Sequence, residues 1–171
     1  MKKSWLSGLL ALCLLIGMAN AEAERLTGED FVFVYDGAVY TLSTDAAALI
    51  AAAEKRDGES MRVMEADSCL FSGKDKEFTG RELMLATYPI LPGGGDQLET
   101  IAVLNGPWKT ARGVGIGSSR AQVENAYGPG AEDYDCLFYA VDAPYASPTL
   151  IFQFDLETDT VVAFMLLACS A

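Results

Sequence analysis

Apolar positions recur along this chain with two different periods, and the switches between them mark out the elements. Residues 31–35 read F-V-F-V-Y, a β-rich apolar run; Asp36-Gly37 is a strong two-residue hairpin signal, and residues 38–42 complete the pair. The period then lengthens. Thr44 or Asp45 caps an alanine-rich helix running to about Arg56, whose Leu49, Ile50 and Ala53 form the apolar face before Asp57-Gly58 ends it. Residues 61–71 read as a strand with an irregular end, Ser72-Gly73-Lys74-Asp75 as a turn, and residues 83–88 as a second strand stopped by Pro89. An open glycine-rich loop over 91–96 leads to a third strand, 98–104, before Asn105-Gly106-Pro107 breaks the chain.

The densest local signal follows, over residues 110–128. Val114 and Ile116 alternate with Gly113, Gly115 and Gly117 as a short strand stub would, and Gly117 permits a tight turn. Ser119 with Gln122 three residues on makes a capping box, Val123, Ala126 and Tyr127 share one helical face, and Gly128-Pro129 supplies the stop. An acidic loop, Glu132 to Asp135, then precedes strands over 136–141, 149–156 and 161–168. Each half thus reads helix, then three strands. An offset of 74 aligns Leu42-Ser43-Thr44 with Ile116-Gly117-Ser118, and Cys69-Leu70-Phe71 recurs as Cys136-Leu137-Phe138. The expected fold is α+β: a first repeat over 31–107 and a second over 108–171, sharing an antiparallel sheet with the helices on one face.

That arrangement assigns faces. Leu150, Phe152, Phe154 and Leu156 alternate with Thr149, Ile151, Gln153 and Asp155, so the first set packs under the helices and the second points away. In the last strand Val161, Ala163, Met165 and Leu167 are expected on the helix-free face. Ile151, Gln153, Met165 and Leu167 are therefore the candidate partner-binding residues, with Trp108, Tyr88, Tyr134, Tyr139 and Tyr145 as further contact aromatics.

Composition then narrows the address and the chemistry. Lys2 and Lys3, an apolar stretch from Trp5 to Met18 and the small-x-small pattern Ala19-Asn20-Ala21 read as a secretory signal peptide over 1–21, followed by a polar leader over 22–30. The apolar stretch is short for a spanning helix, so no integral membrane segment is expected after cleavage near Ala21. Leu12 stands where lipid attachment at Cys13 needs a small residue. The net charge of −12 becomes more negative once Lys2 and Lys3 leave with the signal peptide, which argues against nucleic acid as a partner. Cys69, Cys136 and Cys169 remain in an exported chain, enough for one disulfide. A three-strand meander puts Cys136 and Cys169 at opposite ends of the sheet, so the bond is expected to join Cys69 to Cys136 or to Cys169.

There is no histidine, which removes Ser-His-Asp and Cys-His nucleophiles and the usual zinc sets. Asp155-x-Glu157-x-Asp159 lacks the glycine and final acid of a calcium loop, and Gly113-x-Gly115-x-Gly117 has Ser118 where a dinucleotide fingerprint ends in glycine. No cofactor, metal or catalytic residue is expected. A carboxylate-based hydrolase drawing on Glu132, Asp133 and Asp135 or on Asp155, Glu157 and Asp159 is the weakest reading.

Thr110-x-x-Gly113-x-x-Ile116-Gly117-Ser118-Ser119, with Val123 and Tyr127-Gly128 beyond, resembles a signature found in bacterial secreted proteins and lipoproteins with the fold of the β-lactamase inhibitor protein and of small outer-membrane-assembly lipoproteins. The segment 68–76 with Thr87-Tyr88-Pro89 is similar to the first repeat of secreted members of that group. Ser118 departs from the Asp that many members carry, and no lipobox is present. The resemblance implies a secreted or envelope-located, non-enzymatic module that recognises a protein or peptide through its helix-free sheet face, or else a structural or assembly factor of the cell envelope.

Overall fold

The computed structural model describes residues 25–90, 95–142 and 148–168. The expected signal peptide, Tyr145 and Cys169 lie outside the described residues. At the end of the expected polar leader, Gly28–Phe31 form a 3-10 turn capped reciprocally by Thr27 and Asp30. β1 (Val32–Tyr35) and β2 (Ala38–Thr41) make the expected hairpin. Asp36 and Gly37 both take positive φ, 50° and 82°, the geometry that matches a two-residue turn to the twist of its strands.

α1 (Ala47–Asp57) begins a little later than Thr44 or Asp45 would place it, with Ala46 at the cap position and no side-chain cap bond there. Asp45 Oδ1 instead accepts from the Ala47 amide at 2.7 Å. Gly58 closes the helix in the left-handed region at φ 73°, donating its amide to Glu54 O. α2 (Arg120–Tyr127) forms as its sequence dictates: Ser119 Oγ accepts from the Gln122 amide while Gln122 returns a bond to the Ser119 amide.

The expectation of two helix-plus-sheet repeats is overturned. The protein is mostly antiparallel β, with two α-helices among the described residues and one continuous eight-stranded sheet beside the hairpin. Its strands are β3 (Arg62–Asp67), β4 (Lys74–Thr79), β5 (Leu83–Tyr88), β6 (Gln97–Val103), β7 (Ala131–Asp133), β8 (Cys136–Ala140), β9 (Thr149–Phe154) and β10 (Val161–Leu167). Their order is β3-β4-β5-β6-β10-β9-β8-β7. Two of these strands fall on segments that read as a turn and an acidic loop, β4 and β7. Both are too charged to show an apolar alternation; β4 is held by pairing with β3 and β5, and β7 by pairing with β8. Conversely, the strand stub at Val114 and Ile116 is not a strand. One isolated bridge, Lys109 to Gly115, and the Gly117 amide bonded to Val161 O hold that segment.

The core lies on one side of this sheet. Leu83, Leu85, Ile101, Val103, Phe164, Leu166, Leu150, Phe152, Leu137 and Tyr139 follow one another across the ladders on a single face. Leu49 and Ala53 of α1, Val123 and Tyr127 of α2, and Phe33 and Tyr35 of the hairpin belong to the same buried cluster. The Tyr127 ring lies 5.5 Å from that of Phe152 and 5.3 Å from that of Tyr139, which seats α2 directly on β8 and β9. Both helices and the hairpin therefore serve one face and leave the other without them.

Candidate functional site

The opposite face is defined by the same registers. Ile151 stands between Met165 on β10 and Phe138 on β8, Leu167 between Thr100 and Thr149, and Gln153 between Ala163 and Cys136. The structure thus brings Ile151, Gln153, Met165 and Leu167 together on the helix-free face. A bulge between Val161 and Ala163 breaks the alternation of β10, so Val161 turns into the core at 1 % exposure while Ala163 joins the helix-free side. Exposure is uneven. Gln153 is exposed and Met165 and Leu167 are half-buried, but Ile151 is only 7 % exposed. Cross-strand neighbours sit roughly 5 Å away, so Met165 and Phe138 flank Ile151 on both sides.

The face continues across the seam between β10 and β6 through Ala102 and Thr100 to Met84 and Ala86 on β5. Beyond them it becomes acidic. Glu77 pairs with Ala86, Asp75 with Ala66, and Glu99 lies beside Thr100 where a second bulge interrupts the β5–β6 ladder. A cavity of about 420 Å³ opens here; its lining combines Met64, Ala66, Ala86 and Tyr88 with the acids Glu65, Asp75, Glu77 and Glu99 and with Lys76. Glu99 accepts a 2.7 Å bond from the Tyr88 hydroxyl, and Glu77 one from Thr79 at 3.3 Å. The Phe71 ring, in the β3–β4 loop, rests on Tyr88 with centroids 5.3 Å apart. Reading residues 72–75 as a turn hid this cavity. The segment shows a charge alternation, Lys74 and Lys76 against Asp75 and Glu77, and not the apolar one that marks a strand.

The remaining sequence candidates are structural. Arg120 holds both Glu132 (3.2 Å) and Asp159 (2.8 Å) while lying over the Phe154 ring, so these acids fasten α2 to the sheet. Asp135 accepts from Gln153 and Cys136, which holds its carboxyl below the usual range. Asp155 caps its own turn through the Glu157 and Thr158 amides and is lowered likewise. No group of three metal-ligating side chains occurs among the described residues. Amides around the start of α2 bond protein acceptors: Ser118 to Gly115 O, Ser119 to Gln122 Oε1 and Arg120 to Asp159 O. Trp108 and Tyr139 serve packing, whereas Tyr134 is 80 % exposed in a positive-φ turn.

Cys69 and Cys136 are free thiols. Cys69 lies in the loop between β3 and β4 and Cys136 opens β8, five strand spacings away or roughly 24 Å, far beyond the ~7 Å that a disulfide tolerates. Of the two expected pairings, Cys69 to Cys136 is excluded by this order. Burial and the neighbouring Asp135 and Asp133 carboxylates push the Cys136 thiol up to about 11.

Comparisons with known proteins bring no match: no family model fits the sequence, no curated protein aligns with it, and no solved structure matches it. No helix among the described residues is long and apolar enough to cross a membrane.

Proposed function

We propose that this chain is an exported, non-enzymatic binding module that holds a protein or peptide against the helix-free face of its sheet. The observation that carries the reading is the segregation of packing elements. Both helices and the hairpin cover one face, while the other presents half-buried Met84, Ala86, Met165 and Leu167 in one surface spanning the β6–β10 seam. Stable recognition needs roughly 800 Å² per partner.

The decisive experiment is capture from native secretions with the exported chain and two face variants. Gln153→Arg and Met165→Arg are expected to reduce recovery of the partner at least about tenfold, with little change in melting temperature because neither side chain is fully buried. Ile151→Glu is unsuitable as a neutral probe, since Ile151 is buried. Capture unaffected by both arginine variants would refute the reading. Export itself is checked by intact mass, with the mature chain expected to begin near Glu22.

A further inference from the structure

We propose that the acidic cavity between β3, β4, β5 and β6 is a seat for a lysine or arginine side chain of a basic peptide segment in the partner. The inference rests on the helix-free face being the binding surface and assigns the chemistry of its occupant.

Three observations carry it. The space exists because Ala66 and Ala86 stand at the register positions opposite Asp75 and Glu77, where longer side chains would close it. The acids outnumber the cations around it: Lys76 also lines the cavity but is bonded to Asp96 at 2.8 Å, Lys74 is bonded to the lining Glu65 at 3.2 Å, and among the described residues none of Asp75, Glu77 and Glu99 is ion-paired. Finally, Asp75 Oδ1 is buried and accepts no hydrogen bond. A buried acceptor left without a donor is costly; half-buried Asp75 lines this cavity, and rotation of its carboxyl would bring that oxygen to an entering ammonium or guanidinium.

The lining distinguishes a cationic side chain from a bare metal ion. Met64, Ala66 and Ala86 suit the methylene stem of lysine or arginine. A divalent ion would require converging oxygen ligands, and no three-ligand group occurs among the described residues. The chain's net charge of −12 steers basic segments toward the protein in general, while the cavity gives them one place to stop.

The test is an amide chemical-shift titration of the exported protein with tri-arginine and tri-lysine peptides, and with tri-glutamate as control. Shifts are expected to concentrate at residues 64–66, 75–77, 86–88 and 99, and binding to weaken on the order of tenfold as salt rises from about 20 to about 200 mM. The near-isosteric Glu77→Gln and Glu99→Gln together should weaken tri-arginine binding on the order of tenfold, with the melting temperature kept. Shifts scattered over the acidic surface, or a titration indifferent to these substitutions, would overturn the seat. The two readings fail separately. Partner capture that is lost in Gln153→Arg yet unaffected by Glu77→Gln and Glu99→Gln keeps the face and refutes the cation seat. Localised tri-arginine binding combined with capture indifferent to Gln153→Arg supports the seat and refutes the wider face.

Discussion

Three donors from separate parts of the chain converge on one oxygen of Glu82. The Tyr35 hydroxyl (3.1 Å), Arg56 Nε (2.9 Å) and Trp108 Nε1 (3.0 Å) all bond Oε2, while Arg56 also stacks over the Trp108 ring. One residue in the turn between β4 and β5 thus ties down the hairpin, α1 and the segment after β6. Glu82→Ala leaves the buried Tyr35 hydroxyl and the half-buried Trp108 N–H without an acceptor and releases the exposed Arg56 to water, and is expected to cost about 2 to 4 kcal/mol in urea unfolding. A loss under about 0.5 kcal/mol would show that water replaces the carboxylate freely. Arg112 makes a second tie: it grips Asp30 through Nε (2.6 Å) and Nη2 (3.0 Å), donates to Ala126 O and lies over the Tyr127 ring. Burial by itself would raise the Asp30 carboxyl, but bonds from Arg112 and the Thr27 amide, together with the Arg112 charge, outweigh it and hold the carboxyl below its ordinary value. A carboxyl depressed by folding stabilises fully above its unfolded pKa of about 4, and that stabilisation is lost as pH falls through the folded value. Asp30→Asn should therefore cost about 3 kcal/mol at pH 7, and the gap to the parent should shrink below about pH 4. Urea midpoints at pH 7 and pH 3 decide it; an equal gap at both would mean that the charge of Asp30 contributes nothing.

At the scale of elements, legibility follows from where the information resides. The hairpin, α1, α2, β5, β6, β8, β9 and β10 were readable because turn residues, caps and apolar alternation are local. β4 and β7 were not, since K-D-K-E-F-T and A-E-D carry little local β signal and depend on partners distant in sequence. The cavity went unseen for the same reason, because β4 supplies Asp75 and Glu77. Gly115 illustrates the same limit. It reads as one more turn glycine, yet a Cβ there would collide with the Trp108 carbonyl oxygen, whereas around Gly117, at φ 81°, space is open. Gly115→Ala is accordingly expected to destabilise by more than the roughly 1 kcal/mol of strain at Gly117→Ala, compared by thermal unfolding. Tyr127→Ala empties the contact of α2 with β8 and β9 and should cost about 3 to 5 kcal/mol. Element placement also decides the thiols. Cys136 lies too far from Cys69 to bond it, so any disulfide that involves Cys69 is expected to leave Cys136 free. With its thiol raised to about 11, Cys136 should alkylate slowly at pH 8. Peptide mapping that finds Cys136 in a disulfide would contradict the strand order.

Across the whole molecule, the seam between β6 and β10 decides how the chain behaves as a folding unit. Phe164 pairs with Val103 and Leu166 with Ile101, and these four side chains are buried to 2 % exposure or less. They belong to the same cluster as residues from both helices and the hairpin, so neither half possesses a core of its own. Burying a large apolar side chain contributes roughly 1.5 to 3 kcal/mol, and a domain's net stability is only about 5 to 15 kcal/mol. Exposing the seam would consume most of that margin, so the halves should not melt separately. Heating is expected to give one transition with equal calorimetric and van't Hoff enthalpies. Phe164→Ala, at the seam, should lower stability by about 3 to 5 kcal/mol and shift the whole transition together, as followed both by near-ultraviolet circular dichroism and by exchange of β3–β5 amides. Two resolved transitions, with β3–β6 surviving the loss of β7–β10, would show that the continuous sheet is two folding units placed edge to edge.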